Sequence, residues 1–249
     1  MVLLLVVELD PGLSALRPLG GYFLLRTTGE PPAPASTFAQ VYDHQTSDVY
    51  GNPLDFRVAR TAVALRTEEP RVAASVAHLG LVARLWSVTL ACAVLYGEIP
   101  DLAPGLLRWD PGAAAPDDLW LTAVHPLPAD RLADVVVDGH LRPLEAALRS
   151  RHRLAPGLLR GNAASALTGS ARQLGLLAAR QGRTDAAEQA RRHTAALLAH
   201  PYLNGTGTLT GTAFRRRSCC LYYRVPGGGV CGDCCFVRPP GSSPHAPSG

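Results

Sequence analysis

Five of the six cysteines fall in one stretch, CCLYYRVPGGGVCGDCC, at residues 219–235, and thiolates are the side chains that hold soft metals. The pattern is an adjacent pair, Cys219 and Cys220, then ten residues, then Cys231 and Cys234 separated by two. A disulfide between Cys219 and Cys220 is geometrically poor, because neighbouring α-carbons lie about 3.8 Å apart and bridged cysteines need roughly 4.4–6.8 Å. Zinc fits half of the pattern: Cys231-Gly232-Asp233-Cys234 is a good knuckle, but the adjacent pair is not the spaced unit that wraps a tetrahedral ion. An iron-sulfur site fits better, since an elongated two-iron core takes one cysteine pair at each end. Cys219, Cys220, Cys231 and Cys234 are thus candidate ligands, for a [2Fe-2S] cluster first and for zinc second.

Successive side chains on a strand point to opposite faces, so Cys219 and Cys220 require a turn in the backbone if both are to bind. Between the pairs, Pro226 and Gly227 to Gly229 form a loop without β-carbons that lets amides approach sulfur, and Gly232 suits the tight C-x2-C turn. A [2Fe-2S] core on four thiolates carries a net charge of about −2, and about −3 once reduced. Arg215, Arg216, Arg217 and Arg224 are placed to offset it, against the plainer reading of a solvated basic turn. Tyr222 and Tyr223 alternate faces, and at least one is expected to shield the site from water. Cys235 reads as a small buried thiol that could substitute for Cys234, and Cys92 as core. The eight histidines are scattered without an HxxxH spacing, so a separate zinc site or a His-based triad has little support. Ser165 and Ser218 sit in no nucleophile motif. Trp86, Trp109 and Trp120 read as core or pocket wall.

The elements that must position these residues are mostly helical. Residues 71–96 form one long buried helix closed by Pro100 and Pro104. Asn162 is placed to cap a helix with Leu167, Ala171, Leu174 and Leu177 at helical spacing and Gly182 as its stop. A second helix follows across a short turn, with Asp185 and Glu188 as a capping box, Ala186, Ala190, Thr194 and Leu197 on one face, and His200-Pro201 at its end. The two make an antiparallel hairpin just before the cysteines. Residues 119–124 and Val135 to Val137 read as short strands of a small sheet, and the first third as irregular with isolated helices. The fold class expected is mainly α (α+β): a helical core over residues 1–213, a cysteine-rich segment at 214–238 and a disordered tail at 239–249.

With 249 residues the chain can bury a full core without disulfides. Every basic residue is Arg and the net charge is +4, with no extended basic stripe, which argues against nucleic acid as a partner. The apolar start at residues 1–7 lacks a basic flank and is cut short by Glu8 and Asp10, so a buried strand or a misplaced start is expected there rather than a signal peptide. The apolar run at 79–96 contains Arg84 and reads as a core helix, not a membrane span. A reducing cytoplasm is the expected setting, where clustered cysteines mean metal or redox chemistry.

The run FRRRSCCLYYRVPGGGVCGDCC, residues 214–235, resembles the C-terminal signature of the FhuF-like ferric siderophore reductases, whose four cysteines in C-C-x10-C-x2-C spacing bind a [2Fe-2S] cluster. Weaker likenesses lie at GNAASAL, residues 161–167, which resembles that family's Gly-Asn helix start, and at LGGYF, residues 19–23, which resembles its N-terminal segment. Arg160 stands where relatives tend to have an aromatic, and Gly21 where proline is common. The resemblance implies the cluster on Cys219, Cys220, Cys231 and Cys234, a ferric siderophore as substrate, and cytoplasmic release of Fe(II), which hard oxygen donors grip less firmly than Fe(III). It also implies an external electron donor, since the one GxGxxG string, residues 227–232, lies inside the cysteine segment and not between a strand and a helix where a flavin or nicotinamide would bind. A peripheral contact with the inner membrane stays open. Two other classes remain beside it: a non-catalytic iron-sulfur carrier or sensor, and a structural zinc module.

Overall fold

The computed structural model describes residues 8–31, 35–43 and 51–240. The helices are α1 (Phe38–Tyr42), α2 (Pro53–Leu65), α3 (Pro70–Leu95), α4 (Arg142–His152), α5 (Pro156–Arg180) and α6 (Thr184–Ala199). The strands are β1 (Ser36–Thr37), β2 (Glu98–Pro100), β3 (Leu107–Trp109), β4 (Leu119–Leu121), β5 (Pro126–Pro128), β6 (Gly207–Thr210) and β7 (Ala213–Arg216). The expected N-terminal strand at 1–7, most of the proline linker and residues 241–249 of the tail lie outside the described residues.

Helix α3 is the axis of the fold. Pro70 occupies its first turn, where a missing N–H costs nothing, and it is apolar enough to cross a membrane, yet most of its surface is buried against other elements. Helices α2, α5 and α6 all pack on it. It ends at Leu95, capped by Tyr96, and Gly97, whose φ of 75° favours glycine, turns the chain ahead of the prolines expected to stop it. Arg84, inside the apolar run, is only 2% exposed. Its Nε donates to Asp118 Oδ1 at 3.0 Å, and its terminal nitrogens donate to the carbonyls of Gly21, Tyr22 and Leu24. One buried cation therefore ties the 19–23 segment to the axis.

A small antiparallel sheet, in the order β1-β3-β4, pairs Ser36 with Trp109 and Leu107 with Leu121, and β2 pairs separately with β5. The mainly helical α+β class holds. The strand expected at Val135 to Val137 does not form. Those residues lie in a π-helical stretch, Asp134–Leu141, that runs straight into α4, with Val136 and Val137 buried; continuity with a helix and burial on one face outweigh β-branched propensity. At 119–124 the strand stops at Leu121, and Pro126–Pro128 pairs as β5 instead of breaking the element.

Helix α5 starts six residues before the expected cap. Ala155 is the N-cap and Pro156 the first helical residue, which leaves Asn162 inside the helix and wholly buried. Gly182, with φ of 67°, turns the chain into α6. The buried face of α6 is Ala186, Ala190, Thr194 and Leu197, as the spacing requires. The capping box does not form: Asp185 pairs with Arg183 and Glu188 with Arg191, and α6 has no side-chain cap at its N-terminus. After α6, the β6-β7 hairpin turns at Gly211 and Thr212 and pairs Gly207 with Arg216. A β-carbon on Gly207 would lie 2.3 Å from the Phe214 ring, so only glycine lets that ring lie across the hairpin.

Candidate metal centre

One face of α5 carries the hairpin and the cysteine segment. Its contributors recur as Gly157, Leu158, Gly161, Asn162 and Ser165, a spacing that keeps them in line along a helix. Ser218 Oγ donates to the Gly157 carbonyl at 2.7 Å, and Arg216 Nη2 donates to the Leu158 carbonyl at 3.3 Å and to Asn162 Oδ1 at 2.6 Å. Ser165 Oγ donates to Asp233 Oδ2 at 2.6 Å. Gly161 allows the approach, because a β-carbon there would lie 2.3 Å from Ser218 Oγ. Asn162 also donates to the Ser75 carbonyl on α3, and Ser75 Oγ donates to the Cys220 carbonyl at 2.8 Å. Two crossing helices thus hold the first cysteine pair by its backbone. The second pair is held through Asp233, whose carbonyl accepts the Arg216 amide at 2.9 Å.

Chain direction changes at the first pair, as the geometry requires. Leu221 is left-handed, with φ of 68°, and leads into a single 3-10 turn, Tyr222–Arg224. The adjacent cysteines then go to different partners: Cys220 Sγ lies 3.5 Å from Cys231 Sγ, while the sulfurs of Cys219, Cys234 and Cys235 all lie within 4.8 Å of one another. Cys219 and Cys220 are each matched with a cysteine from the other end of the loop. Two thiolates about 2.3 Å from one tetrahedral metal stand roughly 3.8 Å apart, so the Cys220-Cys231 spacing suits a shared metal atom.

Main-chain amides act on four of these sulfurs, each from two residues further along the chain. Leu221 donates to Cys219 Sγ at 3.2 Å and Phe236 to Cys234 Sγ at 3.4 Å, and the amides of Tyr222 and Asp233 favour the thiolates of Cys220 and Cys231. Burial raises the Cys219 thiol to about 11. Cys220 and Cys231 share a hydrogen bond that draws the first toward thiolate and holds the proton on the second.

Cys220 and Cys234 are buried, whereas Cys219, Cys231 and Cys235 are partly open to solvent. Tyr223 packs edge-on against Phe236, ring centroids 5.8 Å apart, while Tyr222 is exposed. The loop glycine that matters sterically is Gly228, where a β-carbon would meet the Tyr222 carbonyl at 2.7 Å; Gly232 has open space around it. The C-x2-C turn closes through the Cys234 amide to the Cys231 carbonyl. Cys92 is buried in α3, as expected of a core thiol. The arginines separate clearly. Arg216 is buried, Arg224 pairs with Glu69, Arg215 donates to the Cys235 carbonyl and Arg217 is exposed.

A nest of thiols at the surface, with the Asp233 carboxylate hydrogen-bonded to Ser165, is a soft-metal centre of the iron-sulfur type. Residues 216–236 match the family model of the FhuF 2Fe-2S C-terminal domain, which places this segment with the FhuF iron-sulfur domains and makes a [2Fe-2S] cluster its cofactor. No curated protein matches the chain.

The sequence reading located the cysteines but missed the residues that carry them. Asn162 read as a cap, and Ser75, Ser165, Ser218 and Asp233 read as nothing in particular. Polar Asn within an apolar helical run is disfavoured unless its side chain has a buried partner, and that was the available signal.

Proposed function

We propose that this chain is a ferric siderophore reductase that delivers one electron to an Fe(III)-siderophore and releases Fe(II) in the cytoplasm. The observation that carries the reading is the match of residues 216–236 to the FhuF 2Fe-2S domain. Cys219, Cys220, Cys231 and Cys234 would hold the cluster, and the amide acting on each from two residues on supports that set. When bound, the cluster supplies reversible one-electron storage.

The chain's own residues do the rest. Ser75, itself held by Asn162, fixes the Cys220 backbone, and Ser165 holds the Asp233 side chain between the second pair, so little reorganisation accompanies a change of charge at the sulfurs. The partial exposure of Cys219 and Cys231 leaves an approach for an external donor and for the ferric complex. Past Thr168, one helical turn beyond Ser165, a cavity of about 650 Å³ opens between α5, α6 and the β6-β7 hairpin, with Arg172, Leu176 and Leu209 on its walls. Its volume is that of a small-molecule site, and it is the recess we assign to the siderophore.

The test is anaerobic. Protein reduced with dithionite and freed of excess reductant is mixed with a ferric hydroxamate, and Fe(II) is trapped by a coloured chelator. Stoichiometric release, and turnover when reductant is resupplied, are expected. A cluster that reduces and reoxidises without hastening iron release would make the protein a carrier. Ala171→Trp, which fills the recess, should raise KM while leaving the visible spectrum unchanged; an unaltered KM would move the substrate elsewhere.

A further inference from the structure

Two arginines of the described core are equally buried, and only one of them is neutralised. Arg84 and Arg216 are each 2% exposed. Arg84 has Asp118 and three carbonyls as partners. Arg216 forms no ion pair with any described carboxylate, and its Nε and Nη1 have no hydrogen-bond partner. Its bonds run from Nη2 alone, to the neutral acceptors Asn162 Oδ1 and the Leu158 carbonyl. A buried cation with idle donors and no counter-ion is costly, and such a group needs an explanation in terms of something it faces.

The surroundings show what that is. Arg216 ends β7, three residues before Cys219, and its amide is bonded to Asp233 between Cys231 and Cys234. Its charge acts on the sulfurs of Cys220 and Cys235. Its position is fixed from α5, where Asn162 clamps the guanidinium and Gly161 leaves room for it: a β-carbon there would come within 3.2 Å of Nη2. The Gly-Asn pair, unremarkable as a helix start, makes sense as a seat for this one side chain.

We propose that Arg216 is the buried counter-cation of the [2Fe-2S] cluster, seated by Gly161 and Asn162, and that it raises the reduction potential. The inference rests on the cluster being bound by the four cysteines. Four thiolates give a dianion that gains a further negative charge on reduction, and a fixed cation in a poorly polarisable interior favours the more negative state. Arg216 acts through the cluster's charge and is a positioning and tuning residue.

Redox titration of the full chain under anaerobic conditions, followed by visible absorbance and electron paramagnetic resonance, tests this on wild type, Arg216→Gln and Arg216→Lys. In Arg216→Gln the ratio of reduced to oxidised cluster at a fixed potential should fall about tenfold, a downward shift of about 59 mV for a one-electron couple. Arg216→Lys, which keeps the charge, should recover most of it. A glutamine variant that holds its cluster at the wild-type potential overturns the proposal. Should the glutamine variant lose iron while the lysine variant keeps it, the requirement for a cation is supported; loss from both alike marks a packing role and overturns it. Wild-type protein without the cluster spectrum would remove the reading on which the inference stands.

Discussion

A cysteine's contribution to a metal site depends on where its Cα–Cβ bond points. Cys219 meets Cys234 and Cys235, while its neighbour Cys220 meets Cys231. Cys219→Ser or Cys231→Ser should each remove one thiolate, abolish the visible spectrum and leave far-ultraviolet circular dichroism close to wild type, because the segment sits on the outside of α5. Broad loss of helix in either variant would show that the cysteines hold the core together. Cys235 poses a sharper question. It lies with Cys219 and Cys234, yet the amide of Phe236 reaches the sulfur of Cys234. Cys235→Ser is therefore expected to keep the full iron content and Cys234→Ser to lose it; the reverse pattern in an iron and sulfide assay would shift the ligand by one residue.

At the scale of the element, α5 is both a core helix and the rail on which the site is mounted. Gly161→Ala gains helix propensity, about 1 kcal/mol, but its β-carbon would push Ser218 Oγ off the Gly157 carbonyl, a bond contributing about 1 kcal/mol. The melting temperature should thus move little, while iron loss to a chelator quickens roughly fivefold, the factor that ~1 kcal/mol represents. Ser218→Ala, which removes the same bond without a β-carbon at Gly161, should quicken iron loss to a similar extent. If that variant retains iron like wild type, the bond is not the cause. This helix also shows what the sequence made legible. The buried stripe of α6 could be read from periodicity, and the extent of α3 from the length of its apolar run. The start of α5 could not, because Asn162 resembles a cap and its true partners, Ser75 and Arg216, are 87 and 54 residues away. The strand expected at Val135 to Val137 failed for a related reason: its burial is set by the helix into which it runs. The four candidate ligands were legible because metal binding fixes local spacing, whereas a hydrogen-bonded seat assembled from α3, α5 and β7 leaves no spacing to read.

Across the whole molecule, packing around α3 and α4 buries imidazole as well as hydrocarbon, and this makes stability depend on pH. His140 is fully buried, with Tyr42 Oη 2.8 Å from Nδ1, the Leu102 carbonyl 2.6 Å from Nε2 and the Phe38 ring edge-on. Burial, opposed by the Leu102 carbonyl and by Asp101, holds its pKa down at about 4, against an ordinary 6.5. Below pH 6.5 the unfolded chain therefore binds a proton that the folded chain refuses. Stability is complete above that pH, falls by about 1.4 kcal/mol per pH unit as the medium is acidified, and levels off near pH 4. His78, buried and pressed down to about 3 beside Arg216, adds a loss of the same sign. Urea denaturation of the Cys219→Ser protein at pH 7 and pH 5 isolates this effect from acid loss of the cluster. The midpoint should drop clearly at pH 5, and His140→Gln, though less stable at pH 7, should lose less between the two. An equal loss in both proteins would mean that carboxylates, not the buried ring, govern acid unfolding.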